Sequence, residues 1–402
     1  MELDIAAWLG LGVRWLHMIA GIAWIGASFY FVWLDNHLRP TAKGGADGVT
    51  GEVWSVHGGG FYHKQKYAVA PAHMPDDLHW FKWEAYTTWL SGMALLGIVY
   101  YWGADLFLVD SAKAALSPVQ AVLLGLGVIA GGWLVYDGLC RSPLGRNGRL
   151  FGALWFLVLV ALSYGLVQVF NDRGAFIHVG AVIGTAMVAN VFFVIIPNQK
   201  KVVAALERGE EPDPALGAAG KQRSLHNNYM TLPVLFIMIS NHYPMVFSHP
   251  YNWLLLAAIG VLGVMIRHFF NLRHREVSAP GLVFASIGLF IIIAMFTAQT
   301  RSAGRPDMAG GVAGAVPFTE VRAIMETHCT SCHATNPRHP AFTEAPGGVR
   351  LDSPALIRQY APKIEQQAVL ANIMPLGNET GMTDGERARL GKWIADHRKD
   401  GS

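Results

Sequence analysis

The sequence predicts an all-α protein in two parts: a polytopic membrane bundle of about eight helices, then a small polar helical domain. Three observations carry this. Of 402 residues, 52% are hydrophobic and only 15% charged, with a mean hydropathy of +0.31, whereas soluble domains carry about a quarter charged residues. Apolar stretches near the length that crosses a bilayer recur at 6–34, 82–102, 118–137, 150–170, 174–196, 229–247, 252–271 and 281–299. Hydrophobicity collapses after Thr300: residues 301–316 are rich in Gly, Ala, Ser and Pro and read as a linker, and 317–402 as a compact polar domain. The net charge of +3 is too small to suggest a nucleic-acid partner. The first apolar segment is too long for a signal peptide's apolar core and has no small-residue cleavage site, so it is expected to remain as a helix.

Loop charge sets the expected orientation. The connections at 138–149 (Arg141, Arg146, Arg149), 197–228 (Lys200, Lys201, Arg208, Lys221, Arg223) and 267–276 (Arg267, Arg273, Arg275) are basic, while 103–117, 171–173 and 248–251 carry little positive charge. With about eight spans the basic connections share one side, which the positive-inside rule makes cytoplasmic. Both termini and the tail domain are then expected outside, which is the periplasm if the membrane is the inner membrane of a Gram-negative bacterium. The connection 35–81 becomes a cytoplasmic cap, rich in aromatic, His and Gly residues (Trp54, His57-Gly58-Gly59-Gly60-Phe61-Tyr62-His63, His73, His79, Trp80). The stretches HMIAGIAWIGASFYF at His17 and HVGAVIGTAMVANVFF at His178 resemble each other, as do Trp83–Thr88 and His226–Thr231. They allow a parallel 4+4 repeat.

The chemistry is clearest in the tail. Cys329-Thr330-Ser331-Cys332-His333 is the arrangement that covalent haem attachment needs. Each thiol adds across one vinyl group, and the adjacent imidazole reaches the iron. A zinc site would need a second ligand pair, and the remaining cysteine, Cys140, lies far away in an apolar stretch. Phe318–His328 suits the first helix of a small class I cytochrome c domain. Met374, in a loop before the last helix, is the expected second iron ligand, with Met382 as its rival. Thr383-Asp384-Gly385-Glu386 reads as a capping box opening a helix through Trp393.

The bundle offers weaker signals. His17, His178, His242 and His249 fall toward its outer half. His17 and His178 form a candidate ligand pair for a membrane haem b, with His242 a further candidate. At the cytoplasmic ends, Trp83, Glu84, His226, Asn227, Asn228, Tyr229 and Arg267 suit a flat, hydrogen-bonding heterocycle, whose proton a carboxylate or imidazole would take. Pro233 predicts a kink.

Taken together, Arg14-Trp15-Leu16-His17, the loop His57–Tyr62, Trp83-Glu84, the run His226-Asn227-Asn228-Tyr229-Met230-Thr231-Leu232-Pro233 and the fused CxxCH domain resemble the bacterial membrane urate oxidases of the PuuD type, urate hydroxylases with a C-terminal cytochrome c domain. The resemblance spans essentially the whole chain. It implies oxidation of urate to 5-hydroxyisourate, with electrons leaving through haem c to a respiratory acceptor such as a cytochrome or terminal oxidase, without direct peroxide formation. Glu84 and His226 are then the candidate bases, with Asn227 and Asn228 beside them. Two alternatives stay open: a haem c-linked membrane dehydrogenase of another small cytoplasmic reductant, and a non-catalytic, membrane-anchored electron-transfer cytochrome.

Overall fold

The computed structural model describes residues 5–41, 48–71, 74–111, 113–303 and 314–400. His73 and most of the expected linker lie outside these. Long apolar helices dominate: α1 (Ile5–His37), α2 (Trp83–Leu96), the short α3 (Ala104–Phe107), α4 (Pro118–Arg141), α5 (Gly148–Val167), α6 (Asp172–Ala189), α7 (Ile196–Glu207), α8 (Pro214–Ser240), the short α9 (Pro244–Phe247), α10 (Asn252–His274) and α11 (Pro280–Ala303). Two π-turns interrupt them. Gly97–Tyr101 extends α2, and Asn190–Ile195 joins α6 to α7 in one continuous rod. Among the described residues six helices are long and apolar enough to cross a membrane: Trp8–His37, Pro118–Arg141, Gly148–Val167, Asp172–Glu207, Asn252–His274 and Pro280–Ala298. The other two expected spans are helical as well, in α2 with its π-turn and in α8, but fall short of that apolar length.

Small residues let these helices approach. A Cβ on Gly132 of α4 would lie 2.6 Å from Val182 Cγ1 of α6, and one on Gly263 of α10 would lie 3.1 Å from the Pro233 ring of α8. Close backbone approach of this kind replaces the hydrophobic drive that lipid does not supply. The core so formed centres on Tyr136, Phe170, Phe176, Val182 and Ile237.

Three expectations need correction. The all-α reading misses a two-stranded antiparallel hairpin, β1 (Val49–His57) and β2 (Gly60–Tyr67), in the 35–81 connection. Gly58 and Gly59 take φ of +57° and +82° at its turn, where only glycine is unstrained. In β1 Val49, Val53 and Val56 do not share one face, and β2 is largely His, Lys, Gln and aromatic, so hydropathy does not mark them. The hairpin rests on the end of α1: Lys64 lies 5.4 Å from the Tyr30 ring, and Lys66 pairs with Asp35 at 2.6 Å. The sixth expected span, 229–247, begins far earlier as α8 and stops at Ser240. Asp213 caps it by accepting from Ala215 N at 2.9 Å, and Pro214 occupies its first position. Within its polar first half Arg223 and Asn227 are buried against partners, which a hydropathy window cannot see. Finally, α11 runs on to Ala303, past the expected linker start at 301.

The basic connections gather at one end. Arg39 pairs with Glu276, the rings of His37 and His274 lie 5.5 Å apart, and Gln222 donates to Gly145 O at 2.7 Å. At the other end Val109 bridges Phe170, Lys113 pairs with Asp172 at 2.6 Å, and Tyr100 donates to Asn241 at 2.9 Å.

The tail has its own core of Val321, Ile324, Met325, Cys329, Leu390 and Ile394. Its helices are α12 (Phe318–His328), α13 (Pro354–Gln359), α14 (Ala361–Ile364) and α15 (Asp384–Asp400). The expected capping box is present: Glu386 N donates to Thr383 Oγ1 at 3.3 Å, and Thr383 N to Glu386 Oε2 at 2.8 Å. The tail meets the bundle where a Cβ on Gly377 would lie 3.0 Å from Asp105 O of α3, at the end away from the basic connections.

Candidate functional site

Two polar sites stand in the bundle and one in the tail. In the tail, α12 ends at His328 and the chain turns through Cys329 to His333, whose backbone N–H donates to Cys329 O at 2.8 Å. Both cysteines are free thiols. Burial pushes the Cys329 thiol up to about 12 and raises that of Cys332 too, so both are protonated at neutral pH. His333 Nδ1 donates to Val349 O at 2.9 Å, which fixes the ring and leaves Nε2 as the basic nitrogen. Met382 is 3% exposed and packs in the tail core, whereas Met374 is half-buried at its edge. Arg387 holds the Met374 loop by donating to Met374 O at 2.7 Å. This donor set fits a covalently bound haem: two thiols, an oriented imidazole and a thioether near the surface. Among the described residues no group of three or more His, Cys, Asp and Glu is placed to hold a metal ion, so the cysteine pair has no second half of a zinc site.

The first bundle site is a buried network across α4, α6 and α8. Asp137 accepts from Arg223 at 2.7 Å and from Arg141 at 2.6 Å. Arg223 also donates to Asn190 Oδ1 at 3.1 Å, and Asn190 Nδ2 donates to Tyr136 Oη and Asn227 Oδ1, both at 2.8 Å. The Tyr136 hydroxyl is hydrogen-bonded to His226 Nδ1 at 3.0 Å, and Cys140 Sγ lies 3.7 Å from the same nitrogen. The imidazole is thereby held by Nδ1, with Nε2 left free of protein partners among the described residues. Asn190 starts the π-turn of the α6–α7 rod, a distortion often found at functional sites.

His226 lies flat on Phe151, with centroids 4.1 Å apart and planes 5° from parallel. It also borders a cavity of about 980 Å³ between α5, α6, α8 and α10. The walls are mainly apolar, and two buried polar atoms on them, Trp155 Nε1 and Ser163 Oγ, have no protein partner. Glu84, Asn228 and Arg267 are not on these walls.

The second bundle site joins α8 and α10. Asn228 Oδ1 accepts from Arg267 Nε and from Asn271 Nδ2, each at 3.0 Å, and the Arg267 guanidinium lies 3.9 Å from the Phe29 ring centroid.

A family model described as urate oxidase N-terminal matches residues 4–298. The chain belongs to the urate oxidase N-terminal family. Membership points to urate-related oxidation, to an oxidoreductase and to urate as substrate, and the six long apolar helices have the length and composition to cross a membrane. Searches of curated proteins and of solved structures found no match.

For this family member, the structure gathers only part of the expected site. His226 and Asn227 share one network, and Asn228 belongs to the other with Arg267. All four lie within helices, not at their ends: His226 is twelve residues, about 18 Å of helix rise, from the start of α8 at Pro214. Glu84 stands apart in the first turn of α2, half-buried. Trp83 is 65% exposed and Tyr229 bonds His268 at 2.8 Å.

The histidines proposed for haem b are not brought together. His17 Nδ1 meets Thr88 O at 3.0 Å and packs on Gly92, whereas His178 donates from Nδ1 to Gly174 O and accepts at Nε2 from Tyr101 at 3.0 Å, against Gly125. With both its nitrogens engaged, His178 does not fit an axial ligand, and the two repeat histidines have unlike surroundings. His242 is exposed in the break after α8, and His249 is buried there, its Nδ1 accepting from Tyr251 N. Sequence reasoning missed Tyr136, Asn190, Asp137 and Asn271. A signal existed for Asn190, a lone amide within an apolar run.

Proposed function

We propose that the chain is a membrane urate oxidase that converts urate to 5-hydroxyisourate and delivers the electrons to a haem c carried by its own tail, and from there to a respiratory acceptor. Urate and water give 5-hydroxyisourate, two protons and two electrons, so no oxygen is consumed at the site and no peroxide forms there. The observation that carries this reading is continuity in one chain. The family match runs to residue 298, and a separate helical core bearing Cys329, Cys332 and His333 follows it and packs on the bundle.

Cys329 and Cys332 would hold haem c through thioether bonds, and His333 and Met374 would supply the donor atoms for its iron. When bound, that group supplies a one-electron acceptor whose potential a thioether ligand raises. The chain's own residues supply binding and proton handling. His226, held through Nδ1 by Tyr136, is a candidate proton carrier beside the cavity rather than a group that holds the substrate. Glu84 pairs with no cation among the described residues and is the candidate base. No step runs through a haem b, since the residues proposed for it do not assemble one.

The clustering of basic connections at one end supports urate entry from the cytoplasm, and the docking of the tail at the opposite end supports a periplasmic cytochrome. Anaerobic mixing of purified protein with urate, followed by haem c absorbance, tests the proposal. Urate is expected to reduce the haem. Reduction only by some other small reductant, or transfer that ignores urate, would sink it.

A further inference from the structure

Arg267 is a buried charge that the bundle does not neutralise. It is 4% exposed, and no Asp or Glu among the described residues pairs with it. Its Nε donates to Asn228 Oδ1, its face covers Phe29, and its Nη2 has no partner. An uncompensated cation inside a membrane bundle is costly and marks a place where an anion arrives.

The neighbouring amides say which anion. Arg267 has only donors, so the Asn228 oxygen must face it. Asn271 shares that oxygen, so its nitrogen must face Asn228. Three atoms are then left buried without partners: Asn228 Nδ2, Arg267 Nη2 and Asn271 Oδ1. They amount to two donors, one of them charged, and one acceptor. Asn271 stands one helical turn from Arg267 and is half-buried, so the group is not sealed. Water would satisfy the amides but leave the charge. The complement of all three is a carbonyl oxygen beside an N–H on an anionic frame, which is the edge of a cyclic ureide.

We propose that Arg267, Asn228 and Asn271 form the subsite that holds the edge of a planar cyclic ureide anion. The carbonyl oxygen accepts from Arg267 and Asn228, and the adjacent N–H donates to Asn271. The inference rests on the urate reading and deepens it, since urate is an anion of this class at neutral pH. The three residues bind and orient; none is a base.

The test is equilibrium binding of radiolabelled urate to the full-length holoprotein in detergent, without oxygen and with dithionite present so that turnover cannot consume it. Arg267→Gln is expected to weaken binding about ten-fold or more. Asn271→Asp is expected to do the same, because its carboxylate pairs with Arg267 and takes the anion's place, while thermal unfolding moves no lower. In the wild type, barbiturate, which carries the same edge, displaces urate; nicotinate, a planar anion without it, does not. Wild-type affinity in both variants, or equal displacement by nicotinate, overturns the subsite and leaves the urate reading standing. A wild-type protein that binds no urate overturns both.

Discussion

His333 Nδ1 donates to the carbonyl oxygen of Val349 at 2.9 Å, across a loop of the tail. An imidazole so anchored presents Nε2 in one orientation, as histidines at iron usually do. The same tail separates its two methionines by burial, with Met382 in the core and Met374 at its edge.

That separation gives the first prediction. Met374→Ala should leave the protein folded with haem attached but lower the haem potential and change the ferric spectrum. Met382→Ala should leave the spectrum alone and destabilise the tail by about 2–5 kcal/mol, the usual cost of emptying a core site. Cys332→Ser should remove one thioether link, seen as a shifted pyridine haemochrome band. Identical spectra for wild type and Met374→Ala would rule out Met374 as ligand.

Tyr136 connects His226 to Asn190, so its hydroxyl serves two partners. Tyr136→Phe is expected to slow urate-dependent haem reduction about ten-fold or more by releasing the His226 ring from its hydroxyl partner. It should also cost about 1–3 kcal/mol of stability, because the Asn190 amide loses a buried acceptor. Stopped-flow reduction and thermal unfolding read the two effects separately; an unchanged rate with lowered stability would leave the network purely structural.

Gly132 is a packing requirement. Its missing side chain makes room for Val182, which a Cβ would approach to 2.6 Å. Gly132→Ala should therefore cost about 1–3 kcal/mol by overpacking, and adding Val182→Ala should recover part of it. Simple additivity of the two losses would show that the contact is not tight.

The tail should also carry a pH signature. The backbone N–H and hydroxyl of Thr383, with His328 beyond them, hold the Glu386 carboxyl down to about 2. A group depressed in the folded state stabilises it fully above the unfolded carboxylate range of about 4.3 and loses that contribution as pH falls toward 2. Acid unfolding of the wild-type tail should show this slope between those limits, and Glu386→Gln should flatten it.

Much of the fold was legible because bilayer thickness writes itself into chain length. Six of the eight expected spans correspond to helices long and apolar enough to cross a membrane, and the capping box at Thr383–Glu386 named its helix start to the residue. The hairpin was not legible, since its strands bear His, Lys and aromatic residues that mark no apolar face. Nor was the start of α8, because Arg223, His226, Asn227 and Asn228 read as a polar loop until partners from α4, α6 and α10 satisfy them.

By itself the sequence determined a run of membrane-length apolar helices followed by a CxxCH tail, because apolar length and cysteine spacing are local properties that no packing can undo. Tertiary structure alone decided that His226 and Asn228 serve different groups, that His17 and His178 have separate partners, and that Arg267 has no counter-charge among the described residues. Each of these depends on which helix faces which, and that is set by small-residue contacts such as Gly132 on Val182 and Gly263 on Pro233 between segments far apart in the chain.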